Sequence, residues 1–148
     1  MMKHINMKPY KQLFLPLLLF IFNISLAQTT AIPDETFEQA LIEMNIDSDG
    51  VVNGQVLTAD IENVVELDFE SVSFTDYITD LTGIEDFTAL EILDFYYSPI
   101  SLDPSQADIL SNNTNLREFI ALRFCGDCGG SYIPILDLSG LPNLDRIC

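Results

Sequence analysis

The stretch ITDLTGIEDFTALEILDF, residues 78–95, holds one complete copy of a spacing that recurs on both sides of it. Leu90, Leu93 and Phe95 read L-x-x-L-x-F. Val64, Leu67 and Phe69 stand 26 residues earlier, and Leu116, Phe119 and Ala121 stand 26 residues later. A further step of 28 reaches Leu144 and Ile147. Recurrence at a fixed period implies units too small to bury their own apolar face, which therefore share one core with their neighbours.

A period of 26 lies within the roughly 20–29 residues of leucine-rich repeats, in which L-x-x-L-x-L is a short strand followed by a turn and a returning segment. Thr82, Gly83, Ile84, Glu85, Phe87 and Leu90 add a TGIE phrase that leads into the strand. With it, residues 64–148 resemble leucine-rich repeats of the internalin type. The resemblance implies an α/β solenoid of short parallel strands with an N-terminal capping helix. In that family an Asn closes each turn by bonding main-chain groups across it; Val72, Ser98 and Phe124 stand there instead. Between the second and third strands, residues 101–105 read as a turn and 106–110 as one helical turn on the convex side.

Side chains alternate along a strand, so the consensus apolar residues point inward and their neighbours outward. Leu67, Leu93 and Phe119 are thus expected on neighbouring parallel strands. Three outward rows follow: Glu66, Ile92 and Glu118; Asp68, Asp94 and Ile120; Glu70, Tyr96 and Leu122. The first strand is acidic, the second mixed and the third mainly apolar. Exposed Ile92, Tyr96, Ile120 and Leu122, extended by Tyr97, would form a ligand-binding patch, because contiguous exposed apolar area marks contact surfaces. The competing readings are a one-residue slip of the strands, or cover from a later segment.

Three regions divide the chain. Lys3, His4, Lys8 and Lys11 precede an apolar run over 13–22, and Ser25-Leu26-Ala27 supplies small residues before a cut at Gln28, so residues 1–27 read as a secretory signal peptide. Residues 28–61 read as an N-terminal cap. Pro33, Asp34 and Glu35 open a helix over 33–44 whose Phe37, Ala40, Leu41 and Met44 form one apolar stripe, suited to covering the first layer of a stack. Thr58 or Asp60 is the expected cap of a single helical turn further on. Residues 62–148 are the repeats, and the sequence reads as truncated within a strand at Cys148.

The loop NIDSDGVVNGQV, residues 45–56, places Asn45, Asp47, Asp49, Gly50, Val52 and Asn53 at positions 1, 3, 5, 6, 8 and 9 of a calcium loop. Position 12 is Val56 where a bidentate acid belongs, so a calcium site there is weak. The same residues are ordinary turn formers, and the turn is the favoured reading.

Three of the six basic side chains and none of the 23 acids lie in residues 1–27, so the remainder carries a net charge of −20. Such a chain repels nucleic acid and anionic lipid. With no Lys and no His after residue 27, it lacks the general base of a Ser–His or Cys–His pair and the amine of a Schiff base. Asp68 and Asp94 would be neighbours about 5 Å apart, near the spacing of a retaining glycosidase pair, but on an open surface without the pocket that raises one pKa. Cys125, Cys128 and Cys148 are disulfide candidates in an exported protein, with free thiols, redox work and zinc as lesser alternatives.

The sequence therefore points to a secreted or cell-surface protein, without catalysis or a required cofactor, whose sheet binds a protein or a surface glycan. It resembles the secreted repeat proteins of Gram-negative bacteria that use type IX secretion, which implies a later sorting domain. The alternatives are a structural spacer for a downstream domain and a weak calcium-dependent adhesion module.

Overall fold

A computed structural model describes residues 27–96, 98–121 and 136–147. Tyr97, Leu122, Phe124, Cys125, Cys128 and Cys148, like residues 1–26, lie outside the described residues.

Four strands recur at the period read from the sequence: β3 (Glu66–Asp68), β4 (Ile92–Asp94), β5 (Glu118–Ile120) and β6 (Arg146–Ile147). Two strands precede them, β1 (Thr29–Ala31) and β2 (Gln55–Leu57). They form one parallel sheet in the order β3-β4-β5-β6. Leu67 pairs with Leu93, Leu93 with Phe119 and Phe119 with Ile147, so the repeat length sets the register. Leu67, Leu93 and Phe119 are all buried. Ordering the backbone of a three-residue strand opposes folding by about 1–2 kcal/mol per residue. A ladder bond returns only about 0.5–1.5 kcal/mol net, whereas a buried Leu or Phe contributes roughly 1.5–3 kcal/mol. The shared core, more than the ladder, holds such short strands.

β3 and β4 each end in a turn made by their own last carboxylate. Asp68 Oδ1 accepts the Glu70 N–H at 2.9 Å, and Asp94 Oδ1 accepts the Tyr96 N–H at 2.7 Å. These carboxylates thus shape corners at which Val72 and Ser98 stand in place of an Asn. Inside the corners Phe69 and Phe95 stack with centroids 4.9 Å apart, and Phe95 meets Phe119 edge-on at 6.3 Å.

On the returning side Ile61, Phe87, Asn113 and Leu141 are buried at equivalent places in successive units. Asn113 fits an apolar row because its Nδ2 donates to the carbonyls of Ile84 (2.8 Å) and Phe87 (3.2 Å). Asn115 and Asn143 donate to the carbonyls of Thr88 and Thr114, each at 2.8 Å, linking one unit to the next. The turns on the returning side are 3₁₀, at Ile84–Asp86 and Pro104–Gln106. The second starts earlier than the helical turn expected over 106–110, because Asp103 caps Ser105 N–H at 2.8 Å and Pro104 presets the first φ.

Ahead of the sheet, β1 (Thr29–Ala31) pairs antiparallel with β2 (Gln55–Leu57), and α1 (Glu35–Glu43) and α2 (Thr58–Ile61) complete the N-terminal part. Asp34 is the N-cap of α1, accepting the Phe37 N–H at 2.9 Å. Its other oxygen accepts the Thr79 N–H and hydroxyl at 2.8 and 2.9 Å and the Asp80 N–H at 3.1 Å. Neither Thr58 nor Asp60 caps α2: its N-cap is Leu57, without a side-chain bond. Thr58 Oγ1 pairs instead with Thr30 Oγ1 at 3.0 Å, and Asp60 Oδ2 accepts the Ser48 N–H at 3.1 Å. Phe37 stands 6.2 Å from Phe69 and 6.4 Å from Phe87, so α1 shares the core of the first units.

Candidate functional site

The parallel register turns the outward residues into rows. Glu66, Ile92, Glu118 and Arg146 stand side by side, and Asp68, Asp94 and Ile120 form the next row. Glu66, Asp68 and Glu70 are exposed, whereas Ile92, Asp94, Glu118 and Ile120 are half-buried. Tyr96 is 38% exposed just beyond β4, and Leu122, its expected neighbour, lies outside the described residues.

Sequence reasoning passed over the cations on this face. Arg146 continues the first row, 28 residues after Glu118, and that spacing was available as the signal. Its Nη1 lies 3.1 Å from Glu118 Oε2; Arg117 Nη1 lies 3.5 Å from Glu91 Oε2, and its Nε 4.0 Å from Asp145 Oδ2. Pairs this exposed are worth about 0–1 kcal/mol. Their consequence is charge pattern: an acidic surface at β3 that turns mixed by β6.

Asp68 and Asp94 are indeed register partners. Each already holds a turn N–H, and neither is buried in an apolar pocket, so the arrangement builds corners and a charged surface rather than an acid–base pair.

The loop after α1 distributes the four calcium candidates differently from one another. Asn45 takes a left-handed φ of 57° and donates its main-chain N–H to Ile42 O at the helix end. Asp47 is buried; its Oδ1 accepts the Asp49 N–H at 3.2 Å, while Oδ2 has no hydrogen-bond partner. Asp49 Oδ1 accepts the Val51 N–H and its Oδ2 the Asn53 amide, both at 2.8 Å. Burial, assisted by the nearby Asp49, Glu38 and Asp60 charges, pushes the Asp47 carboxyl above the usual carboxylate range despite the Asp49 N–H. Among the described residues no three His, Cys, Asp or Glu side chains gather as a metal centre would require.

Glu38, absent from the expected stripe, organises this loop. It is wholly buried, and its Oε1 accepts the N–H groups of Asn53, Gly54 and Gln55 at 2.9, 2.9 and 3.1 Å. A lone acid on an apolar helix face beside a Gly-containing turn was the only sequence sign of it.

No family model matches the chain, and no curated protein does. Among solved structures it is similar to the functional domain of InlJ from Listeria monocytogenes, described as including a cysteine ladder, at a TM-score of 0.53 and 22% identity. The match covers 81% of this chain but spans only 23% of that one. The likeness is one of fold, and it agrees with a leucine-rich repeat architecture.

Proposed function

We propose that this chain is an exported leucine-rich repeat module that binds a protein or a surface glycan through the outward rows of β3 to β6 and performs no chemistry of its own. The observation that carries this reading is the in-register placement of Ile92 and Ile120 in the rows of Glu66, Asp68 and Arg146, with Tyr96 and Glu70 just beyond the strand ends. Apolar side chains left part-exposed inside a charged surface are what a specific contact uses, the charges steering the approach and the apolar groups supplying affinity. The fold likeness to InlJ supports a repeat module. Packing of Phe37 on Phe69 and Phe87 supports reading residues 28–61 as a cap that closes the first layer of a solenoid. Export, by a type IX route or another, rests on the leader-like residues 1–27 alone.

The test is capture of surface proteins and immobilised glycans by the intact exported chain, compared with the Tyr96→Ser and Ile120→Ser double variant. Binding is expected to fall at least about tenfold, the effect of losing roughly 1.4 kcal/mol at apolar contacts. Capture unchanged in a variant that melts like the parent would leave the spacer reading in its place. The calcium-dependent form of the proposal uses Asn45, Asp47, Asp49 and Asn53 and is favoured by the unpartnered Asp47 Oδ2. Calcium at millimolar concentration would then raise the melting temperature, and an indifferent melt would dismiss it.

A further inference from the structure

A cleft of about 500 Å³ opens between α1 and residues 72–76, away from the outward strand rows. Its origin is mechanical. Glu43 Oε2, at the end of α1, accepts the Ser73 N–H at 3.0 Å, and Asp34, at its start, holds Thr79 and Asp80. Between these pins the helix rises only about 13 Å, at about 1.5 Å per residue. The six steps from Ser73 to Thr79 can reach roughly 20 Å at about 3.3 Å each. The slack bows the segment off the helix.

Ala40, Val72 and Phe74 give the cleft an apolar lining, with Phe74 seated 6.2 Å from Phe69. Glu35, Glu43 and Asp76 add carboxylates, and the lining includes no cation. The sequence holds no Lys, Arg or His between Lys11 and Arg117, so this part of the chain has no neighbouring side chain to neutralise them. An apolar wall flanked by carboxylates complements one kind of group, a cation on an aliphatic stem.

We infer that this cleft receives an arginine side chain of a basic protein partner. The stem packs on Ala40 and Val72, the planar guanidinium lies against the Phe74 ring, and Glu35 and Asp76 accept its N–H groups. Lysine fits less well because a point charge cannot address two carboxylates in one plane. This inference takes the protein-binding reading as its premise and names the chemistry of the partner, but it concerns a surface separate from the strand rows.

The experiment is amide chemical-shift mapping of the intact exported chain with Nα-acetyl-arginine methylamide, and with the citrulline analogue as its neutral isostere. Shifts are expected on residues 73–76 and α1 with the arginine probe only. They should weaken about fivefold in the Glu35→Gln, Asp76→Asn double variant, as loss of two exposed charge contacts implies. Both side chains are exposed, so the variant should fold, and its unperturbed spectrum checks this. Equal shifts at residues 66–70, equal response to both probes, no response, or an unaffected variant would each overturn the inference. Failure of the wider binding reading would appear separately, in the Tyr96→Ser and Ile120→Ser capture assay.

Discussion

Both carboxylate oxygens of Glu38 accept the single main-chain N–H of Gly54, each at 2.9 Å, and no part of Glu38 reaches solvent. Asn53 and Gln55 donate to the same carboxylate, so one side chain of α1 fixes the turn that sets up β2. Glu38→Ala would strand three N–H donors at once. A loss of about 3–5 kcal/mol is expected, as for a buried charge-assisted network. Urea denaturation measures it, and a loss below about 1 kcal/mol would mean that water replaces the carboxylate at little cost.

Gly83 adopts a φ of +100°, and a Cβ there would lie 2.4 Å from Ile32 Cδ1 and 2.5 Å from Ala31 O. The TGIE phrase therefore needs its glycine for two reasons, backbone freedom and the close approach of β1. Gly83→Ala should cost at least about 2 kcal/mol, because strain and overpacking add. Gly54→Ala, at φ +83° with nothing within 4 Å of the new Cβ, should show strain alone, about 1 kcal/mol. Thermal melts of the two variants compare them, and equal losses would refute the close approach.

Asp47 couples stability to pH. Its folded-state pKa is raised above the ordinary 3.8, by burial first and then by the Asp49, Glu38 and Asp60 charges. A raised pKa means that the neutral form is favoured in the fold. The associated stability is therefore complete below pH 3.8 and is lost as pH climbs through the folded-state value. Asp47→Asn keeps the oxygen that accepts the Asp49 N–H and removes the charge. At pH 7 it should stabilise the fold, with the difference shrinking toward pH 3. Melting temperatures of both proteins across that range supply the check, and a destabilised variant at pH 7 would show that the carboxylate is compensated.

Asn113 occupies a place at which other units carry Ile61, Phe87 and Leu141. Repeat logic alone recommends Asn113→Leu, which restores the apolar row. The structure agrees, since the carbonyls of Ile84 and Phe87 each keep a main-chain donor, the N–H of Phe87 and of Leu90 at 3.1 Å, and the change removes the buried Asn113 Oδ1, which has no hydrogen-bond partner. It gives up two amide bonds of about 0.5–1.5 kcal/mol net each, against a gain of roughly 1.5–3 kcal/mol for the buried leucine and the relief of an unpaired acceptor. A variant more stable by about 1 kcal/mol in urea denaturation is expected; a net loss would show that the second bond to each carbonyl outweighs the apolar contact.

The sequence by itself determined the repeat length, the parallel register and the inward and outward rows. A side-chain period of two and a unit period of 26 admit one arrangement that buries Leu67, Leu93 and Phe119 together. It also located α1, because an apolar stripe after Pro33 and Asp34 is a local signal. Only the tertiary structure decided what lies between these signals. β1 and β2 are three residues each, too short for any periodicity to register, and are held from elsewhere in the chain, by Asp86, which accepts the Thr30 hydroxyl, and by Glu38, which accepts the Gln55 N–H. Asp34 holds Thr79 across 45 residues, and with Glu43 on Ser73 it leaves the acid-lined cleft. Burial of a repeating apolar side chain is written in spacing, whereas a polar contact depends on where two distant segments meet, and no spacing records that.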